Sequence, residues 1–371
     1  MKMEPFAMER MQSTWENIVD FDLSESGIQP VSLNDLKKMG FDLESALDIP
    51  LGYSQSNGTL ELREELTNHY PGTTVDNFEV TNGTSEANYI VSLVLLKAGD
   101  GLALELPNYM QLWGIPRSLG AHIQSFHLQF DREWEPDWEE FENAVTEKTR
   151  LVYVSNPNNP TGAILSRRSM ERIVDRCEQV GAYLLSDEVY IGAEINRELT
   201  QSFWGMSERV IVTSGLSKAY GIPGIRIGWI VGPEDFIADC WSQHDYLTIG
   251  PNSLSDLIAR TAVRLDNRQI LYDRTRGMLG NNFAVMDKWI QDFDGFFTYH
   301  PPQAGAFVFV KYDSQKHSEE ICNRIRENQS TLIVPGEHLG QEGFLRIWMG
   351  GKIDFMQEGL SRISQEISLI R

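Results

Sequence analysis

The chain has little of what would staple it, anchor it or give it a metal. Its three cysteines, Cys177, Cys240 and Cys322, lie far apart in 371 residues and form no CxxC pair. That excludes a disulfide framework or cysteine zinc site and points to a reducing compartment. Seven histidines make no HxxxH or HExxH pattern, so no metal ligand set is expected. No apolar run approaches the ~20 residues of a membrane span. No apolar stretch follows the first lysine as a secretory signal would require, so a cytoplasmic protein is expected. Positive charge is also scarce: 32 Lys+Arg stand against 53 Asp+Glu, a formal net charge of -21. Such a surface repels nucleic acid and anionic membrane and mildly favours small cations. Neither GxGxxG after the first strand nor GxxxxGK[ST] occurs, which argues against dinucleotide and P-loop chemistry.

What is present is regular alternation. "TLELREELTNHY" has helical periodicity behind a capping Thr59, "NFEVTNG" is a strand ending in a glycine turn, and "TSEANYIVSLVLLKAGD" is a helix. The short apolar runs "GLALELP", "TRLVYVSNP", "AYLLSDEVY", "RVIVTSG" and "IRIGWIVG" follow, separated by helical stretches such as "SRRSMERIVDRCEQVG". This βα alternation predicts an α/β fold with a mainly parallel, doubly wound sheet. After a long helical region from Asn252 to about Phe293, hairpin-like runs and helices predict a smaller α+β domain. The expected division is a large domain over 50–265 and a small one made of 1–49 and 266–371.

Ligands of open α/β sheets sit beyond the carboxyl ends of the strands, and the chemically loaded residues fall there. Gly83, Thr84 and Ser85 stand between a strand and a helix start, where backbone N–H groups and two hydroxyls suit a phosphate. The same triplet often serves only as a cap. "SNPNNPTG" is a proline-fixed turn offering Asn156, Asn158 and Asn159, and "SDEVY" ends its strand with Asp187 and Glu188. An acid there is either a satisfied cap or the partner of a buried cation. Lys218, in "SGLSKAYGIPGIRIGW", lies among small residues close to an apolar run. Most lysines are solvated surface, but one desolvated beside another cation has a lowered pKa and becomes a nucleophile.

"YSQSNGTLELREEL", "NPNNPTG", "DEVY", "SKAYGIPGIRIGW" and "FLRIWMG" occur together in an order and spacing that resembles the fold type I pyridoxal-phosphate enzymes, aminotransferase class I/II, over nearly the whole chain. The set of a phosphate cradle, a carboxylate, a tyrosine, an asparagine loop and a lysine on successive strand ends is what pyridoxal 5'-phosphate needs. The resemblance implies a seven-stranded large-domain sheet. It makes Lys218 the lysine that joins the cofactor and shuttles protons, and Asp187 the partner of the pyridine nitrogen. Tyr190 and Asn159 are implied as partners of the 3'-oxygen, and Tyr109 as the aromatic stacked on the ring. Thr84, Ser85, Ser217 and Arg226 are implied phosphate ligands. Tyr53 resembles the tyrosine that reaches the neighbouring subunit's phosphate, which implies a homodimer with shared sites. Arg346 resembles the arginine that grips the substrate α-carboxylate, and Gly27 lies where the N-terminal loop passes the substrate. Gly215 departs from the pattern, since many members place a phosphate-binding serine there; whether Ser214 replaces it is open from sequence.

Finer stretches, "DLSESGIQP", "HDYLTIGPNSLSDLIA" and "LIVPGEHLGQEGFLRI", resemble the hydroxyarginine cyclases of the family, whose products are capreomycidine and L-enduracididine. "DEVY" is equally the form of ordinary aminotransferases. The N-terminal segment carries Glu9, Glu16, Asp20, Asp22 and Glu25. Most such acids are solvated or cap helices, but a guanidinium pairs best with a carboxylate, so Glu9, Asp22 and Glu25 are the candidates from which a ligand for a cationic side chain is expected.

Overall fold

The computed structural model describes residues 3–195 and 197–370. Its main sheet runs in space through Phe78–Thr81, Gly228–Val231, Val210–Gly215, Tyr183–Asp187, Thr149–Ser155, Gly101–Leu106, His122–Gln129 and Glu135–Pro136. The five neighbours from Val210–Gly215 to His122–Gln129 are parallel, and the remaining pairings are antiparallel. Seven strands were expected; the two-residue strand Glu135–Pro136 adds an eighth by folding back on His122–Gln129. The strands at the sheet centre are buried along almost their whole length. This is why they read as continuous apolar runs rather than as alternating ones.

Helices cover the sheet. Arg167–Val180 starts on Ser166, whose hydroxyl accepts from Ser169 N, and stops at Gly181 in the left-handed conformation (φ 74). Its apolar residues Met170, Ile173, Val174 and Cys177 recur every three to four positions and form its buried face. Thr59 caps Leu60–Thr67 as expected, and "TSEANYIVSLVLLKAGD" forms the helix Thr84–Leu95.

A second sheet, antiparallel throughout, is ordered Phe297–Thr298, Phe307–Tyr312, Phe344–Trp348, Val334–Pro335. The N-terminal strand Phe21–Asp22 pairs in parallel with Thr331–Leu332. Leu23 N then donates to Leu332 O, Trp348 N to Leu23 O, and Gln29 N to Gly350 O. These bonds stitch residues 21–29 to the second sheet and carry them across the carboxyl ends of the large one. Among the described residues, no helix is long and apolar enough to cross a membrane.

Candidate active site

The parallel strands reverse their winding direction between Gly101–Leu106 and Thr149–Ser155. A cavity of about 270 Å³ opens beyond the strand ends around that switch point. Its lining includes Glu9, Thr84, Ser85, Tyr109, Asn159, Asp187, Tyr190, Ser217, Lys218 and Arg226. Residues from six separate stretches of sequence therefore converge on one space.

Lys218 Nζ donates to Ser26 Oγ at 2.7 Å, and Tyr190 OH donates to Ser26 O at 3.2 Å. Burial lowers the Lys218 pKa, the charges of Arg346 and Arg226 push the same way, and Glu25 and Glu9 oppose. Asp187, at the end of its strand, accepts from Asn88 Nδ2 (2.9 Å) and from the N–H of Val189 (3.2 Å). Burial raises its pKa, and these hydrogen bonds and the Lys218 charge oppose the rise. It makes no ion pair with any described residue. Such a buried carboxylate is stable as an anion only beside a cation.

The cradle turn is tight. Gly83 has φ 94, and a Cβ there would lie 2.3 Å from the Arg226 guanidinium. Arg226, itself left-handed (φ 53), donates to Ser217 Oγ at 3.3 Å and to Asn82 O at 3.4 Å. Thr84 Oγ1 is buried with no hydrogen-bond partner among the described residues. Gly215 has a physical reason as well: a Cβ there would meet Thr84 Oγ1 at 2.6 Å and Ile227 O at 2.9 Å. Ser214 does not line the cavity. Its hydroxyl faces Glu188 O at 3.5 Å and lines a separate cavity with Tyr70 and Tyr220.

Arg346 is fully buried on Phe344–Trp348, behind the cavity lining. One guanidinium nitrogen donates to Asn159 Oδ1 (2.9 Å), another to Ser24 O (2.6 Å), and Nε has no partner among the described residues. Gly27 sits against the Lys218 stem, since a Cβ would approach Ser217 O to 3.4 Å and Lys218 Cδ to 4.0 Å. Tyr109 OH donates to Glu9 Oε1 at 2.7 Å.

Besides Gly27 and Arg346, which border the lining without belonging to it, three expected residues stand outside this convergence. Asp22 turns back on its own segment and accepts from Ser24 N (2.8 Å) and Ser24 Oγ (2.6 Å), a local side-chain turn. Its carboxyl, pushed up to about 6 by burial, clusters with Glu16 and Glu25 rather than with the cavity lining. Glu25 is exposed and accepts from the neighbouring Ser26 N. Neither carboxylate lines the cavity in this structure, although Glu25 is the leading charge acting on Lys218. Tyr53 is 93% exposed and lies outside the cavity of its own chain. Conversely, Ser26, Asn88, Tyr153 and Ser155 line the cavity without having been singled out from sequence. Asn88 had a usable signal, one helical turn beyond Thr84 on the same face.

The fold and the strand-end constellation define a fold type I pyridoxal-phosphate enzyme. The chain belongs to the aminotransferase class I and II family, whose model matches residues 35–363. It is 29% identical over 296 residues to capreomycidine synthase of Streptomyces vinaceus, covering 77% of this chain and 73% of that one. It is 26% identical over 324 residues to aspartate aminotransferase of Thermotoga maritima, covering 84% and 82%. Among solved structures, a PLP-dependent aminotransferase from Streptococcus suis 89-1591 superposes with a TM-score of 0.93 at 29% identity, covering 100% of this chain and 99% of that one. The PLP-dependent cyclase OrfR shares the fold with a TM-score of 0.91 at 24% identity, covering 100% and 98%.

The cofactor is therefore pyridoxal 5'-phosphate. The residues present fit it. The unpartnered Thr84 hydroxyl, the helix N-terminus and Arg226 suit a phosphate. The unpaired Asp187 suits a protonated ring nitrogen, and the buried Lys218 amine suits the carbonyl carbon.

Proposed function

We propose that the protein is a pyridoxal-phosphate-dependent cyclase of a hydroxylated L-arginine. It would expel the side-chain hydroxyl as water and close the guanidine onto the chain, giving a cyclic guanidino amino acid such as L-enduracididine or capreomycidine. The observation that carries this reading is Glu9. Apart from Asp187, it is the one carboxylate among the described residues lining the cavity, and Tyr109 orients it. A carboxylate in so small a site is a natural partner for a guanidinium. The likeness to capreomycidine synthase supports the same reading.

When bound, the cofactor supplies an electron sink that acidifies the amino acid's Cα. The chain's residues then do the rest. Lys218 Nζ takes and returns the Cα proton and removes one from Cβ; burial keeps its amine closer to neutral, and Ser26 Oγ aims it. Asp187 would hold the ring-nitrogen proton, with Asn88 fixing its orientation. Thr84, Ser85, Ser217 and Arg226 would hold the phosphate. Tyr190 and Asn159 would hold the 3'-oxygen, and Tyr109 would face the ring. Arg346 grips the α-carboxylate beside Asn159, and Gly27 leaves room for the substrate next to Lys218. One hydroxyl leaves with one proton as water and one C–N bond forms, so no oxidant or second substrate is consumed.

We place this site in a homodimer. Leu47, Leu51, Tyr53 and Tyr246 are each more than two-thirds exposed. The segments that carry them are joined by bonds from Ser54 Oγ to Pro251 O and from Trp241 Nε1 to Ser56 Oγ. Apolar surface of that kind calls for a partner, and a second copy would bring Tyr53 to the neighbouring phosphate.

Ordinary transamination is the second reading, favoured by the match to the Streptococcus suis aminotransferase along its whole length. Incubation with arginine, 3-hydroxyarginine and 4-hydroxyarginine, with and without a 2-oxo acid, separates the two. A product one water lighter than a hydroxyarginine, formed without oxo acid, is expected. Turnover of arginine only when oxo acid is supplied would overturn the cyclase reading.

Arg346→Lys keeps the charge and loses the planar fork. Its kcat/KM is expected to fall about 10–100-fold, chiefly through KM. Steady-state kinetics on the accepted substrate check this, and an unchanged KM would remove Arg346 from carboxylate binding.

A further inference from the structure

A cluster of titratable groups lies behind the phosphate cradle and outside the cavity lining. At its centre is His244, the last residue of the helix Glu234–His244, with no exposed surface. Its Nδ1 lies 2.5 Å from Oε1 of Glu79, a fully buried residue on Phe78–Thr81. Its Nε2 lies 3.0 Å from Thr248 Oγ1 and 3.3 Å from Glu86 Oε2. The Thr248 hydroxyl hydrogen is committed to Glu86 Oε1 at 2.8 Å, so Thr248 Oγ1 can only accept from the ring. Nε2 thus faces only acceptors, and Nδ1 faces Glu79, whose carboxyl burial pushes up to about 7, below that of His244 at about 9; near neutral pH the shared proton rests on the ring, which is then the imidazolium. Burial alone would lower the His244 pKa, but its hydrogen bonds to Glu79 and Glu86 outweigh that and lift it to about 9.

The network continues into the cradle. Glu86 stands in the first turn of Thr84–Leu95, the helix whose N-terminus faces the cavity. Glu86 Oε2 accepts from Asn82 N at 2.5 Å and from Asn82 Nδ2 at 3.1 Å. Asn82 Nδ2 also reaches Thr248 Oγ1 (2.6 Å) and Gly250 O (3.3 Å), while Asn82 O accepts from Arg226. Asn82 immediately precedes Gly83, so this set of bonds fixes the turn from both sides of its backbone. It also carries an electrostatic liability. A helix N-terminus attracts anions, but a carboxylate in the same turn competes for that field and repels an incoming phosphate dianion.

We propose that His244 is a positioning residue for the cofactor phosphate: held as a cation between Glu79 and Glu86, it offsets the carboxylate of the cradle helix and locks the Asn82–Gly83 turn. The role is indirect, since His244 does not line the cavity, and it holds for cyclisation and transamination alike.

The test compares pyridoxal 5'-phosphate with pyridoxal, which has the same ring and aldehyde and no phosphate. Binding of each to the full-length apoenzyme is read by quenching of tryptophan fluorescence. His244→Gln is expected to weaken pyridoxal 5'-phosphate at least about tenfold and pyridoxal less than about twofold. Thr248→Val cuts the bridge from an exposed position, so it leaves the core packed. It is expected to shift affinity in the same phosphate-selective direction by a smaller factor, and it carries the test if His244→Gln does not fold. Equal weakening of both ligands, or no change in either, would overturn the proposal.

Discussion

Lys218→Ala is expected to lose turnover by about 10⁴-fold, the scale of removing a group that both bonds to the cofactor and moves the substrate proton. The visible absorbance band of the protein-linked cofactor should disappear as well. Cofactor should still bind without covalent attachment, because the cradle residues and Asp187 are untouched. The structure gives a reason to expect a clean loss. Lys218 is the only lysine in the cavity lining among the described residues, and its amine is already aimed by Ser26. Absorbance spectra and turnover measured on the same preparation check both halves. A variant retaining turnover within tenfold of the parent would take Lys218 out of the chemistry.

Asp187→Asn removes one charge with almost no change in volume. Turnover is expected to fall about 10²–10³-fold, the range for losing one preorganised electrostatic contact at a reacting centre. Cofactor affinity should weaken as well. The hydrogen bonds add a further cost. Asp187 accepts from Asn88 Nδ2 on one oxygen and from Val189 N on the other. An amide can accept on only one side, so either orientation sets a donor against a donor. An Asn88→Ala change, which removes the opposing donor, should recover part of the folding stability without recovering turnover. Thermal unfolding and kinetics of the single and double variants separate the two effects. Turnover of Asp187→Asn close to the parent value would show that Asp187 does not hold the ring nitrogen.

The strand-end residues were legible because each carried a local signature and the topology of a parallel sheet does the gathering. Thr84, Asp187 and Lys218 each follow or end an apolar run, and such ends share one edge of the sheet. His122–Gln129 was not legible: it lies toward the sheet edge, half-exposed, and its polar residues break the apolar run. Ser26 had no local signal either. It reaches Lys218 because Phe21–Asp22 pairs with Thr331–Leu332, a contact about three hundred residues distant in the chain. Asp22 and Glu25 lie outside the cavity lining for a related reason. Acidic content told which segment crosses the cavity, but not which way each side chain turns, and Asp22 is consumed by Ser24. Gly215 inverts the lesson. What resembled a missing phosphate ligand is a position where Thr84 Oγ1 leaves no room for a side chain.

The most direct test of the central claim counts turnovers per active site on 4-hydroxyarginine and 3-hydroxyarginine with no 2-oxo acid present. The cyclase reading predicts many turnovers of one of them, each releasing one water and yielding a cyclic guanidino amino acid, with the cofactor unchanged at the end. One half-turnover per site, leaving the amine on the cofactor and a single equivalent of 2-oxo acid in solution, would contradict it.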